Sequence, residues 1–358
     1  MGRPARESMP PSTNEAGTRR ARRPACSGLL ALCLALLTPG PAMAAGPIRV
    51  TGADYLGDLP TLVADRRGLF AREGLDVQVD YGVSGRDNLR ALREGRTDFA
   101  LMALTPLVLD HLRRGPARHA NDPVMLASMV HSRRLNHLVA HPDSDIRGAA
   151  DLAGRRVGLV ADTHAAFAWS LYADYHDRTP AGARVVRREP AALADALASG
   201  ALPAALLWQP WIQRVEQRIG EPLRRLEYGD LYAAHWVLVT RRAAVTEHPR
   251  RVERLLRAYR AAIRRIETDP APALALYAQH AGIEAPLDPE QWRTLDYDLA
   301  LDWSLIASVQ QQIAWARRSG RVASGRPTDV LSLFADTPLR NIDPSAVGIP
   351  GAAEQSRP

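Results

Sequence analysis

Asp65-Arg66-Arg67-Gly68-Leu69-Phe70-Ala71-Arg72-Glu73-Gly74-Leu75-Asp76-Val77 is the stretch on which the fold turns. Its first part continues an amphipathic run that opens at Leu59-Pro60, with proline where a helix start tolerates it, so residues 59–73 are predicted helical. Gly74 permits a tight turn, and Leu75, Val77, Val79 and Tyr81 then alternate with polar residues, the period of a half-buried strand. A helix feeding straight into a strand is part of a βαβ unit. Ile48-Arg49-Val50-Thr51 supplies the strand before it. Downstream come a helix over 87–94 ending on Gly95, the strand Phe99-Ala100-Leu101-Met102, and a helix over 106–114 ending on Gly115.

Residues 124–130 and 136–140 read as consecutive strands leading out of this unit, after which the pattern restarts. Asp151-Leu152-Ala153-Gly154 leads into the strand Arg156-Val157-Gly158-Leu159-Val160, followed by a helix over 164–175, the strand Arg184-Val185-Val186 and a helix over 191–199. A buried strand over 204–207 runs into Trp208-Gln209-Pro210-Trp211, and 235–240 is a further strand. Beyond Thr246 the pattern is helical, over 249–267, 271–280, 289–299 and 303–318, before a tail from 341 rich in Pro, Gly and Ser. The predicted class is α/β: two Rossmann-like lobes joined by two crossovers, near 135–145 and 235–245, with the C-terminal helices on the first lobe. The division that follows is 1–44 leader, 45–140 first lobe, 141–238 second lobe, 239–340 helical return to the first lobe, and 341–358 flexible tail.

The leader is read from Arg19, Arg20, Arg22 and Arg23, the apolar run from Leu29 to Leu37, the breaker Pro39-Gly40-Pro41 and the small residues of Ala42-Met43-Ala44. This is the order of a cleaved signal peptide, and the apolar run is too short to span a bilayer. Export to the periplasm is the expectation. Both cysteines, Cys26 and Cys33, lie within the leader, so cleavage leaves no disulfide, thiolate metal site or cysteine nucleophile. The leader carries six arginines against two glutamates, and its removal lowers the formal charge from +7 to +3. No dense basic run interleaved with aromatics follows, which argues against nucleic acid as a partner. Lysine is absent, so a Schiff-base chemistry has no residue to work with.

Four segments carry a resemblance to a known family. The opening stretch resembles the A-x-x-x-G-[LF]-F-x-x-[EH]-G-[LI]-x-V segment of the nitrate/sulfonate/taurine and thiamine-precursor (NMT1/THI5-like) binding proteins. Leu92-Arg93-Glu94-Gly95-Arg96-Thr97-Asp98-Phe99-Ala100, Asp151-Leu152-Ala153-Gly154-Arg155-Arg156-Val157-Gly158 and Leu206-Leu207-Trp208-Gln209-Pro210-Trp211 are similar to the segments that follow in those proteins. The resemblance implies a type II periplasmic binding protein of an ABC importer, monomeric, with a small-molecule ligand and a permease and its ATPase as partners. It implies no cofactor, no metal and no catalysis. Two alternatives stay open: a pyrimidine-synthase-like enzyme on the same fold, which uses a cysteine-rich iron segment, and an exported sensor without a permease.

Ligands of open α/β sheets bind beyond the carboxyl ends of the strands, where helix N-termini attract oxyanions. The candidate binding residues are Asp54 and Tyr55 in the first such loop, Ser84, Gly85 and Arg86 in the second, and Leu104 and Thr105 in the third. Asp162, Thr163 and His164 supply the fourth, and Trp208, Gln209 and His235 complete the set. Thr105 before Pro106 reads as a helix cap. Asp162 reads equally as a cap or as a ligand contact. Asp54 and Asp162 would repel a simple anion, and Gln209 stands where the resembling proteins have an acid. Tyr55, Trp208, Trp211, His235 and Trp236 offer flat faces. Together these favour an organic, heteroaromatic or taurine-like ligand carrying an amine or ring N–H over nitrate. Ser84 is not set in a nucleophile elbow, because Arg86 holds the place of the second glycine.

Overall fold

The computed structural model describes residues 46–115, 119–134, 136–177, 182–226, 232–283, 292–323 and 328–350. The expected leader, with both cysteines, and the last residues of the tail lie outside them. The described chain opens β1 (Ile48–Ala53), α1 (Leu59–Arg66), α2 (Leu69–Arg72), β2 (Val77–Gly82), α3 (Gly85–Arg93), β3 (Phe99–Ala103), α4 (Leu104–Arg114) and β4 (Pro123–Ser132). It continues through β5 (His137–Ala140), β6 (Arg156–Leu159), α5 (His164–Tyr175), β7 (Arg184–Arg187), α6 (Pro190–Ala198), β8 (Ala204–Leu207), α7 (Trp211–Ile219) and β9 (Arg224–Arg225). It closes with β10 (Ala234–Arg241), α8 (Arg242–Glu247), α9 (Pro249–Thr268), α10 (Ala271–Ala281), β11 (Asp296–Ala300), α11 (Trp303–Arg318) and α12 (Thr337–Ile342).

Two sheets result. The first runs β11-β4-β10-β3-β1-β2 and the second β7-β6-β8-β5-β9. β1 pairs in parallel with β2 and β3, and β6 with β7 and β8, the βαβ cores read from the sequence. β4 and β10 return antiparallel in the first sheet, and β5 lies antiparallel to β8 in the second. The fold is thus α/β with two sheets. The chain leaves the first sheet after Ser132 and enters the second at His137, so β5 stands in the second sheet although the sequence division placed 137–140 with the first lobe. It returns at Ala234. Both passages come a few residues earlier than expected, because apolar strands of either sheet look alike in sequence.

Three local differences have physical causes. The helix expected over 59–73 is two helices, broken where Gly68 takes a left-handed conformation (φ 64°) that other residues resist. Residues 296–300, expected to be helical, form strand β11 on the edge of the first sheet against β4; Tyr297 and Leu299 face inward and Asp296 and Asp298 outward. That two-residue alternation was hidden beside Pro289, and residues 284–291 lie outside those described. The start of the expected loose tail is docked: Val347 bridges Leu301, and Val347 and Ile349 are buried.

The C-terminal helices cover the first sheet as expected. In α9, Val252, Leu255, Leu256, Tyr259, Ile263 and Ile266 recur at helical spacing and are buried against α1, α2 and β11. α4 contacts both α11 and α5, so the two halves also meet away from their crossovers.

Under the first loop lies Asp58, 2 % exposed. Its Oδ2 accepts from the Ala53 N–H at 2.6 Å, and its Oδ1 lies 2.6 Å from the Thr61 hydroxyl, itself 3.2 Å from that of Tyr259. Burial outweighs these contacts and raises the carboxyl pKa to about 7. The folded state therefore keeps a proton that the unfolded chain loses near pH 4, so this group's contribution to stability falls as pH rises from about 4 through 7. Asp58→Asn should remove a slope of about 1.4 kcal/mol per pH unit from the urea-unfolding free energy between pH 5 and 7. Parallel wild-type and variant curves would refute the assignment.

Candidate functional site

The parallel strands of both sheets end at one cleft. The first sheet contributes Ala53, Asp54 and Tyr55 after β1, Val83, Ser84 and Gly85 after β2, Ala103 and Pro106 at the start of α4, and Trp236 from β10. Asn136, Thr163, His164, Ala165 and Trp208 close it from the other side. Helices α3, α4 and α5 thus begin at the wall, and the first N–H groups and dipoles of α3 and α5 favour negative charge there.

The start of α3 is held by tight packing and one side chain. A Cβ on Gly85 would lie 2.8 Å from Met102 Cβ, so only glycine lets the helix press on β3 here. Asn88, fully buried, donates its amide to Gly52 O (2.9 Å) and Leu101 O (2.7 Å), tying α3 to the ends of β1 and β3. Ser84 caps the helix: its hydroxyl lies 2.6 Å from Asp87 Oδ2 and 3.3 Å from the Asp87 N–H. At α5, Thr163 is the N-cap residue, but its hydroxyl donates to Val160 O at 2.8 Å.

Seven of the residues proposed from sequence meet at this wall: Asp54, Tyr55, Ser84, Gly85, Thr163, His164 and Trp208. The other six are placed elsewhere. Leu104 and Thr105 are buried inside α4, whose N-cap is Ala103 rather than Thr105, and Pro106 reaches the wall instead. Asp162, in a left-handed conformation (φ 56°), turns away to Arg113 (2.9 Å) and Arg321 (3.4 Å). Gln209 is buried and accepts from the Gln213 N–H of α7. His235 is buried with Nδ1 3.1 Å from Ser128 Oγ, while its neighbour Trp236 lines the wall, since successive strand residues face opposite ways. Arg86 spans the rim to Glu189, both carboxylate oxygens at 2.9 Å. Asn136 had no signal in the sequence beyond its place next to a strand.

The charge at the wall also differs from expectation. Asp54 Oδ2 lies 2.7 Å from Arg214 of α7, whose guanidinium also donates to Ala281 O and lies 5.0 Å from the Trp211 ring centroid. An Asp54 paired through one oxygen and an outward Asp162 weaken the reason to require an amine on the ligand, while Asp54 Oδ1 keeps no hydrogen-bond partner among the described residues. The aromatic character stands: Tyr55 and Trp236 pack at 4.9 Å, with Trp208 on the wall from the second sheet.

A family model described as NMT1/THI5 like matches residues 58–273, spanning both sheets and most of the cleft. The chain belongs to the NMT1/THI5-like family. A Brucella abortus protein provisionally named a binding protein is 26% identical over 233 residues, covering 63% of this chain and 70% of that one. Among solved structures, the alkanesulfonate-binding protein SsuA from Xanthomonas axonopodis pv. citri, bound to MOPS, superposes with a TM-score of 0.66 at 17% identity, covering 81% of this chain and 99% of that one. The desulfurization enzyme DSZB superposes with a TM-score of 0.57 at 17% identity, covering 83% and 98%. The fold is shared with the alkanesulfonate-binding protein and with the desulfurization enzyme DSZB.

The rim pairs join elements of the two sheets at separate points: Arg86–Glu189, Arg113 and Arg321 to Asp162, and Arg214–Asp54. Exposed pairs of this kind contribute no more than about 1 kcal/mol each. Glu189→Arg, which replaces attraction to Arg86 by repulsion, should weaken ligand affinity by roughly 2- to 5-fold and flatten its dependence on NaCl in calorimetry at 50 and 500 mM. Unchanged affinity and salt response would show that this pair plays no part in binding.

Proposed function

We propose that this protein is an extracytoplasmic solute receptor that captures a small organic anion, a sulfonate or carboxylate with a flat portion, and passes it to an ABC permease and its ATPase. The observation that carries the reading is the joint arrival of two helix N-termini and three aromatic side chains at a cleft built from both sheets. The anionic group sits at the starts of α3 and α5, and the flat part lies among Tyr55, Trp208 and Trp236. The leader expected from residues 1–44 supports a periplasmic receptor, acting as a monomer whose lobes close on the ligand. Binding is favoured over catalysis because the mature chain has neither cysteine nor lysine, and the Ser84 hydroxyl is engaged by Asp87.

The test is a thermal-shift screen with alkyl and aromatic sulfonates, aromatic carboxylates, aminopyrimidines, amino acids and nitrate, followed by calorimetry. Aromatic sulfonates or carboxylates should raise the melting temperature at concentrations where nitrate does not. A response confined to cationic or zwitterionic compounds would overturn the reading.

A further inference from the structure

Five side chains lining the cleft carry a buried polar atom with no hydrogen-bond partner among the described residues. Beside Asp54 Oδ1, whose carboxylate is paired through Oδ2, and Trp236 Nε1, these are the Tyr55 hydroxyl, Asn136 Oδ1 and His164 Nε2. The last three residues are only 7 %, 7 % and 6 % exposed. Buried polar atoms are almost always paired, and orphans on facing sides of one cleft mark a place where a bound molecule supplies the partners. The group is built rather than loose. Asn136 Nδ2 lies 2.8 Å from His164 Nδ1, the imidazole stacks on Tyr232 at 5.8 Å, and Phe167 meets it edge-on at 6.0 Å.

All three side chains are uncharged at neutral pH. Burial, followed by the nearby His235, pushes His164 down to about 4, and burial with Asp58 pushes the Tyr55 phenol up. When the Asn136 amide donates to Nδ1, the imidazole carries its proton on Nε2, which leaves one donor on His164 and one acceptor on Asn136. Such a pair matches a hydroxyl, an amide or a ring nitrogen, and it offers a second negative charge no countercharge.

Resting on the anion reading above, we propose that Asn136, His164 and Tyr55 form a neutral polar subsite that selects ligands carrying an uncharged hydrogen-bonding group besides their anionic one. The ligand class is then a hydroxylated or N-heterocyclic organic anion rather than a plain sulfonate. A site built around unpaired polar atoms rejects an analogue that lacks the matching group, because binding it would seal those atoms away from water.

Calorimetry with benzenesulfonate, 4-hydroxybenzenesulfonate and pyridine-3-sulfonate tests this, with phenol and 3-hydroxypyridine as uncharged arms. The wild type should prefer at least one of the two polar sulfonates over benzenesulfonate by roughly 10-fold or more. Tyr55→Phe and His164→Phe keep the ring shapes, and Asn136→Leu keeps the volume. In at least one of them that folds with a wild-type melting profile, the preference, read as the ratio of the two affinities in the same variant, should shrink to about 3-fold or less. Equal wild-type affinity for all three sulfonates, or a preference unchanged in every variant, overturns the subsite and leaves the anion reading standing. Binding of the uncharged probes alone, lost in His164→Phe, supports the subsite and overturns the anion reading. No binding in any arm overturns both.

Discussion

Asn88→Ala is expected to lower the melting temperature by roughly 5–10 °C and to abolish detectable ligand binding. The side chain is fully buried, and its amide satisfies the carbonyls of Gly52 and Leu101 at the ends of adjacent strands. Each buried carbonyl left without a donor costs about 1–3 kcal/mol, and each kcal/mol shifts the melting point of a chain this size by about 2–4 °C. The same bonds set where α3 begins, so the N–H groups at Gly85 would no longer meet the ligand as placed. Asn88→Asp retains the volume but loses both donors, and a similar drop in this variant would show that the hydrogen bonds, not the cavity, set the effect. A melting temperature within about 2 °C of wild type in both variants would refute the strand-tying role.

Trp208→Ala should reduce affinity for an aromatic sulfonate such as 4-hydroxybenzenesulfonate by roughly 30-fold, about 2 kcal/mol. Trp208 is the aromatic that the second sheet brings to the wall, and it packs against two apolar clusters. Removing it takes away one stacking face and opens the cleft to water. Trp208→Phe should recover part of the loss, since a ring of smaller area remains. Calorimetry on all three proteins checks this, with melting curves to separate lost binding from lost folding. Wild-type affinity in Trp208→Ala would move the ligand away from the aromatic wall.

The scaffold was legible because its signals are local. Alternation at Leu75, Val77, Val79 and Tyr81, the apolar spacing along α9 and the turn glycines each depend on a few neighbouring residues. Strand β11 escaped detection since only five residues alternate there, and pairing with β4 rather than intrinsic preference makes them a strand. Loops were harder to read. That Asp54 faces the cleft could be inferred from its place after β1, but that Arg214, 160 residues later, would compensate it could not. Likewise, one-residue parity separates His235 from Trp236, and only the pairing of β10 with β3 and β4 fixes which ring reaches the wall.

The sequence by itself determined the α/β class, the family, the order of most strand–helix units and the four loops that meet at the cleft. It did so because hydrophobic period and turn chemistry are written in adjacent residues. Tertiary structure alone decided the character of the site. It turned Asp162 outward, paired Asp54 with an arginine, and set Asn136 beside a neutral His164. Charge and protonation depend on distances between residues far apart in the chain and on how deeply folding buries them, and neither quantity is local.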